Sequence, residues 1–147
     1  MRVRDYMTTS VTTLLDDARL LDAALLIRRT GKRHVPILTP EGKVVGIISD
    51  RDVSRLAPSM LAQMTPEDYN RVFEATPITK AMTKNPMLLP PDASIAEAVA
   101  LLYTKKIGAL LVVEEGKLVG ILTVSDMLGL LNELLTGAET PTEPSSL

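Results

Sequence analysis

The chain repeats itself. Val3-Arg4-Asp5-Tyr6-Met7-Thr8 returns as Ile78-Thr79-Lys80-Ala81-Met82-Thr83, an offset of 75 set by Met7 and Met82. Gly46-Ile47-Ile48-Ser49-Asp50-Arg51-Asp52 returns as Gly120-Ile121-Leu122-Thr123-Val124-Ser125-Asp126, now at 74. An internal duplication of this kind restricts the fold to two copies of one supersecondary unit.

Each copy reads the same way. A short β-leaning stretch, 11–14 or 87–89, runs into Asp17 or Asp92, suited to cap a helix. The helices, near 18–30 and 93–105, carry apolar stripes at Leu20, Ala24 and Ile27 and at Ile95, Val99 and Leu102, with Ala23 and Ala98 beside them for close packing. Two strands follow, 34–38 and 43–49, then 109–113 and 117–123. Their hairpin connections differ by the one residue that shifts the offset. A second helix starts near Asp50 and near Val124. The unit is β-α-β-β-α, with too little core to stand comfortably alone. Two units stacked face to face make one pseudo-symmetric α/β (α+β) domain, with a first repeat at 1–56 and a second at 78–135. Between them lies a helical insertion, 57–77, containing Met60 and Met64, in which Thr65 caps a helix opened by Pro66. Tyr69, Val72 and Phe73 share its face. Residues 136–147, with two prolines and small polar residues, read as a flexible tail.

The corners hold the chemistry. In both, an apolar run ends in glycine and an apolar pair, a hydroxyl residue opens a helix, and an aspartate follows three positions later. Ser/Thr-x-x-Asp is a capping box, and capping boxes occur in proteins that bind nothing. For one copy alone the structural reading is favoured. Two copies at matching places shift the balance towards a pair of sites, because a carboxylate there can accept both hydroxyls of a ribose through charge-strengthened hydrogen bonds.

Composition excludes several alternatives. The 147 residues include no cysteine and a single histidine, His34, so thiolate and multi-histidine metal sites are absent. A net charge of -2 and few aromatics (three Tyr, one Phe, no Trp) offer neither a field nor a stacking platform for nucleic acid. The amino terminus leads into no signal-peptide core, and no apolar run is long enough for a bilayer, so the expectation is a cytoplasmic protein without a membrane partner. Residues 1–56 carry ten Lys/Arg against seven Asp/Glu, and 78–135 carry five against six. The first copy therefore contributes more of the attraction for an anion.

The Met-Thr openings, the run Arg33-His34-Val35-Pro36-Ile37, the two Gly-x-x-(Ser/Thr)-x-x-Asp corners and the repeat length together resemble a tandem pair of cystathionine-β-synthase (CBS) domains, a Bateman module, over about residues 3–135. The Ser49-Asp50-Arg51-Asp52 corner and the helical insertion are similar to the CBS portion of acetoin-utilisation AcuB-type proteins. The resemblance implies an adenine nucleotide or related adenosine compound as regulatory ligand in the cleft between repeats, with no catalytic cofactor. Carried over by position, Ser49 with Asp52, and Thr123 with Asp126, receive ribose or phosphate. Val11, Val35, Pro36 and Ile47 line the first base pocket, and Pro86, Leu110 and Ile121 the second. Lys32, Arg33, His34 and Arg51 offer cations to phosphate, whereas Gly108-Ala109 replace Arg33-His34 in the second copy, with Lys105 and Lys106 nearby. The resemblance also implies a homodimer built through helices and a regulated protein encoded elsewhere. Candidate ligands are AMP, ADP, ATP, S-adenosylmethionine, NAD or a guanine nucleotide.

Two rivals stand beside this reading. In a dimerisation scaffold the corners are capping boxes and nothing more. In a small enzyme, Asp50 and Asp52 would hold magnesium for phosphate hydrolysis, but the chain lacks a nucleophile-base-orienter set.

Overall fold

The computed structural model describes residues 1–56 and 65–137. Residues 57–64, with Met60 and Met64, and the tail from 138 onward lie outside them. In the first copy, β1 (Leu14–Leu15) leads to α1 (Leu20–Thr30), β2 (His34–Leu38), β3 (Val44–Ser49) and α2 (Asp50–Leu56). Then come α3 (Pro66–Ala75), α4 (Ile78–Ala81) and β4 (Thr83–Lys84). The second copy runs β5 (Leu88–Leu89), α5 (Ile95–Lys105), β6 (Ala109–Glu114), β7 (Lys117–Thr123) and α6 (Val124–Thr136). The two copies thus form the mixed α/β arrangement expected from the sequence, each β-α-β-β-α.

The sheets are ordered β1-β2-β3-β4 and β5-β6-β7. β1 and β5 pair in parallel with the next strand, and the β2–β3 and β6–β7 hairpins are antiparallel. Both hairpins carry a register irregularity, between Ile37 and Leu38 and between Val112 and Val113. That shared irregularity adds twist at the same point of each unit.

The opening segments cross between the copies. Val3 donates its backbone N–H to Ala93 O and is fully buried with Leu89, Ile95, Ala98 and Leu110, the core of the second copy. Ile78 donates to Ala18 O and is buried with Leu20, Val35, Ile37 and Ile48, the core of the first. Thr83 pairs with Ile47 and Thr8 with Ile121. Met82 lies over Gly46, and Met7 over Gly120, so closely that a Cβ on either glycine would strike the thioether. The two motifs that repeat most clearly, Met-Thr and the glycine corner, are therefore packed on one another across the pseudo-two-fold. A third apolar cluster joins Val11, Val44 and Ile47 to Ala109, Leu111, Leu118 and Ile121, seating one sheet against the other.

The helix starts differ from the sequence expectation. α1 begins two residues after Ala18: the Arg19 N–H donates to Asp22 Oδ2 (2.8 Å), and Leu20 donates to Thr76 O. In α5 the Ser94 hydroxyl accepts from Glu97 N at 3.0 Å. Asp17 and Asp92 are not the caps. Asp92 instead accepts from Arg4 Nε at 3.0 Å, fastening the amino terminus to the second copy. Val99 is exposed, and the buried stripe of α5 is Ile95, Ala98 and Leu102, one step round the helix from the predicted face. α3 starts where Thr65 and Pro66 placed it. Its Phe73 is buried in the first core with the Tyr69 ring 4.3 Å away, so this face packs on its own module.

Candidate ligand-binding cleft

Each hairpin delivers its corner to the same place. His34 pairs with Ser49, and Asp50 N donates to Arg33 O (3.0 Å). At the equivalent positions Ala109 pairs with Thr123, and Val124 N donates to Gly108 O (3.0 Å). Strand end and helix start are thereby locked side by side in both copies. The two corners open onto one cleft of about 1360 Å³. Its walls follow the pseudo-two-fold: Ser10 with Asn85, Val11 with Pro86, Ile47 with Ile121, Ser49 with Thr123 and Asp52 with Asp126.

Both capping boxes are formed. Asp52 Oδ2 accepts from Ser49 N (2.9 Å) and Ser49 Oγ (3.0 Å), while Asp52 N donates to Ser49 Oγ (3.1 Å). Asp126 Oδ2 accepts from Thr123 N (2.8 Å), and Asp126 N donates to Thr123 Oγ1 (3.2 Å). The boxes use one carboxylate oxygen each. The other oxygen differs between corners. Asp52 Oδ1 lies 3.3 Å from Arg55 Nη2, and Asp52, only 6% exposed, is the one buried charged side chain among the described residues. Asp126 Oδ1 has no protein partner among them.

His34 sits where the copies meet. A Cβ on Gly108 would lie 2.5 Å from its Nε2, so the glycine leaves room for the ring. Burial pushes its pKa below the ordinary value. Asp50 and Asp52 pull it up, and Arg33 and Arg51 push it further down.

Of the residues predicted to bind ligand, Ser49, Asp52, Thr123, Asp126, Lys32, Arg33, His34, Arg51, Val11, Ile47, Pro86 and Ile121 line this cleft. Val35, Pro36 and Leu110 do not. Val35 and Leu110 face the first and second cores, and Pro36 is fully buried in β2. Strand residues alternate faces, so a base-pocket position one residue away lands on the opposite side; Leu111 is the one that reaches the seam between sheets. Arg55, Thr8, Thr83, Ser10 and Asn85 line the cleft without having been singled out for a site. The offset of 75 was the available signal for the last four. The i+3 spacing from Asp52 was the signal for Arg55.

The CBS domain profile matches residues 3–59 and 78–133. The chain belongs to the CBS domain family. An uncharacterised protein from Methanocaldococcus jannaschii, MJ1404, is 35% identical over 114 residues, 77% of this chain, which spans 25% of that protein's length. A crystal structure of a protein proposed to act in acetoin utilization (AcuB) from Vibrio cholerae superposes with a TM-score of 0.75 at 34% identity, covering 92% of this chain and 93% of that one. Two more distant CBS structures share the fold. The CBS pair of protein MJ0100, solved with 5′-methylthioadenosine and S-adenosylmethionine, has a TM-score of 0.75 at 24% identity and covers 91% and 98% of the two chains. CBSX2, solved with AMP, has a TM-score of 0.75 at 23% identity and the same coverage. The described part of this CBS pair contains no helix long and apolar enough to cross a membrane and no cluster of metal-ligating side chains.

Proposed function

We propose that this CBS pair is a regulatory, non-catalytic module that binds an adenine nucleotide or other adenosine compound of the AMP, ADP or ATP class in its cleft and signals through conformation or association. The observation that carries the reading is the pair of corners. Each spends one carboxylate oxygen on its own helix cap and sets a second at the wall of a shared cleft large enough for such ligands. The AMP, methylthioadenosine and S-adenosylmethionine complexes of distant CBS structures favour adenosine chemistry. The ligand's effect on the module is no larger than its difference in affinity for the two states.

A homodimer belongs to the same reading. Leu128, Leu131, Leu134 and Leu135 of α6 are 59%, 48%, 62% and 76% exposed. A helix face so apolar is suited to a second copy. The signal then passes to a regulated protein in the cytoplasm. That leucine face also supports the scaffold reading, in which the cleft binds nothing.

A thermal-shift screen of AMP, ADP, ATP, S-adenosylmethionine, NAD and guanine nucleotides separates the two. A ligand at about 100 times its Kd adds roughly 2.7 kcal/mol, or about 5–10 °C for a chain of this size. A rise with any adenosine compound upholds the sensor. No rise with any of them leaves the scaffold.

A further inference from the structure

We infer that the two halves of the cleft divide ligands by phosphate charge, with Arg55 making the Asp52 half selective for a phosphorylated adenosine compound while the Asp126 half accepts one without phosphate. The inference rests on the adenosine reading above and assigns a ligand class to each half.

The corners share a backbone but not their charges. Along 31–34 and 49–55 the cleft wall carries four cations, Lys32, Arg33, Arg51 and Arg55, against Asp50 and Asp52. The equivalent end of the second copy, 105–109 and 123–129, contributes Lys105 and Lys106 against Asp126. Hairpin pairing holds the first set together, because Arg33 and His34 are bonded to or paired with Asp50 and Ser49. A phosphate therefore meets a larger excess of positive charge in the first half, +2 against +1, and only there an arginine beside the corner carboxylate.

Arg55 adds a switch. At this corner both oxygens of Asp52 have partners, Ser49 on one and the Arg55 guanidinium 3.3 Å from the other. Arg55 holds one of the two acceptor positions of Oδ1, so a ribose diol that donates both hydroxyls to that oxygen must displace the guanidinium. A phosphate on the same ligand gives the guanidinium a replacement partner of matching geometry, so the exchange is close to even. A nucleoside offers none and leaves a cation stripped of its partner. The side chain of Arg55 is 72% exposed, free to swing from one partner to the other. At the other corner Gly129 occupies the place of Arg55, and nothing must be displaced from Asp126 Oδ1.

The test is calorimetric titration of AMP and of adenosine. With Asp126→Ala only the Asp52 half remains, and AMP is expected to bind it at least tenfold more tightly than adenosine. Adding Arg55→Ala is expected to weaken AMP by roughly tenfold and tighten adenosine, the two moving in opposite directions, while Arg55→Lys keeps part of the preference. With Asp52→Ala, the remaining half binds both within about threefold. If Arg55→Ala moves both ligands in the same direction, or leaves their ratio unchanged, the division by charge is wrong although the adenosine reading stands. If the wild-type chain binds neither ligand, both fall.

Discussion

Ile78 lies in the second copy's sequence but in the first copy's core, and its truncation is the sharpest test of the crossed openings. The side chain is fully buried among Leu20, Ala23, Val35 and Phe73, and its N–H is bonded to Ala18 O. Removing its outer carbons forfeits their transfer free energy and leaves a cavity in a site pinned by the β3–β4 pairing, which limits collapse. Isoleucine-to-alanine changes in such places cost about 2–5 kcal/mol, and about 3 kcal/mol is expected here. With a urea m-value of about 2 kcal/mol/M, the midpoint falls by about 1.5 M. Location is the discriminating readout. Native-state hydrogen exchange of Ile78→Ala should show protection lost first in α1 and β2, with α5 and β6 retaining theirs. Val3→Ala should do the converse. A midpoint shift under about 0.5 M, or early loss of protection in α5 and β6, would refute the crossed packing.

Gly108→Ala drives a methyl group into the His34 ring and is expected to cost about 1–3 kcal/mol; repeated in a His34→Ala background the cost should largely vanish, as denaturation of the four variants would show. Because burial lowers the pKa of His34, the unfolded chain binds its proton more readily. This residue's contribution to stability is therefore present above about pH 6.5 and declines as pH falls towards the folded pKa; urea midpoints across pH 5.5–7.5 should show a slope that is reduced in His34→Gln. Leu131→Glu with Leu135→Glu should convert a dimer to a monomer in light scattering without lowering the thermal midpoint by more than a degree or two, since both side chains are largely exposed.

Much of this was legible because duplication states each signal twice. The hairpins, the corners and the α3 start rest on local chemistry: glycine turns, capping hydroxyls and Pro66 at a first helical position. What sequence left hidden came from non-local partners. Asp17 and Asp92 have the right chemistry for caps, but Thr76 O and Arg4, distant in the chain, decide where those helices begin and what Asp92 binds. Val35 and Leu110 sit in strands buried on both faces, so no polar alternation marks which side meets the cleft. The crossing of Val3 and Ile78 is invisible because both openings are equally apolar and either core would accept either one. In Arg55 the signal was present, an arginine three residues past the corner aspartate, but its importance comes from the second oxygen of Asp52.

In the proposed function the two corner aspartates hold an adenosine ligand in the cleft. The most direct measurement is titration of AMP into the wild-type chain and into the Asp52→Ala/Asp126→Ala double variant, with circular dichroism to establish that the variant is folded. Saturable binding to the wild type and its loss in the folded double variant are expected. No binding to the wild type, or undiminished binding to the double variant, would contradict the proposed function.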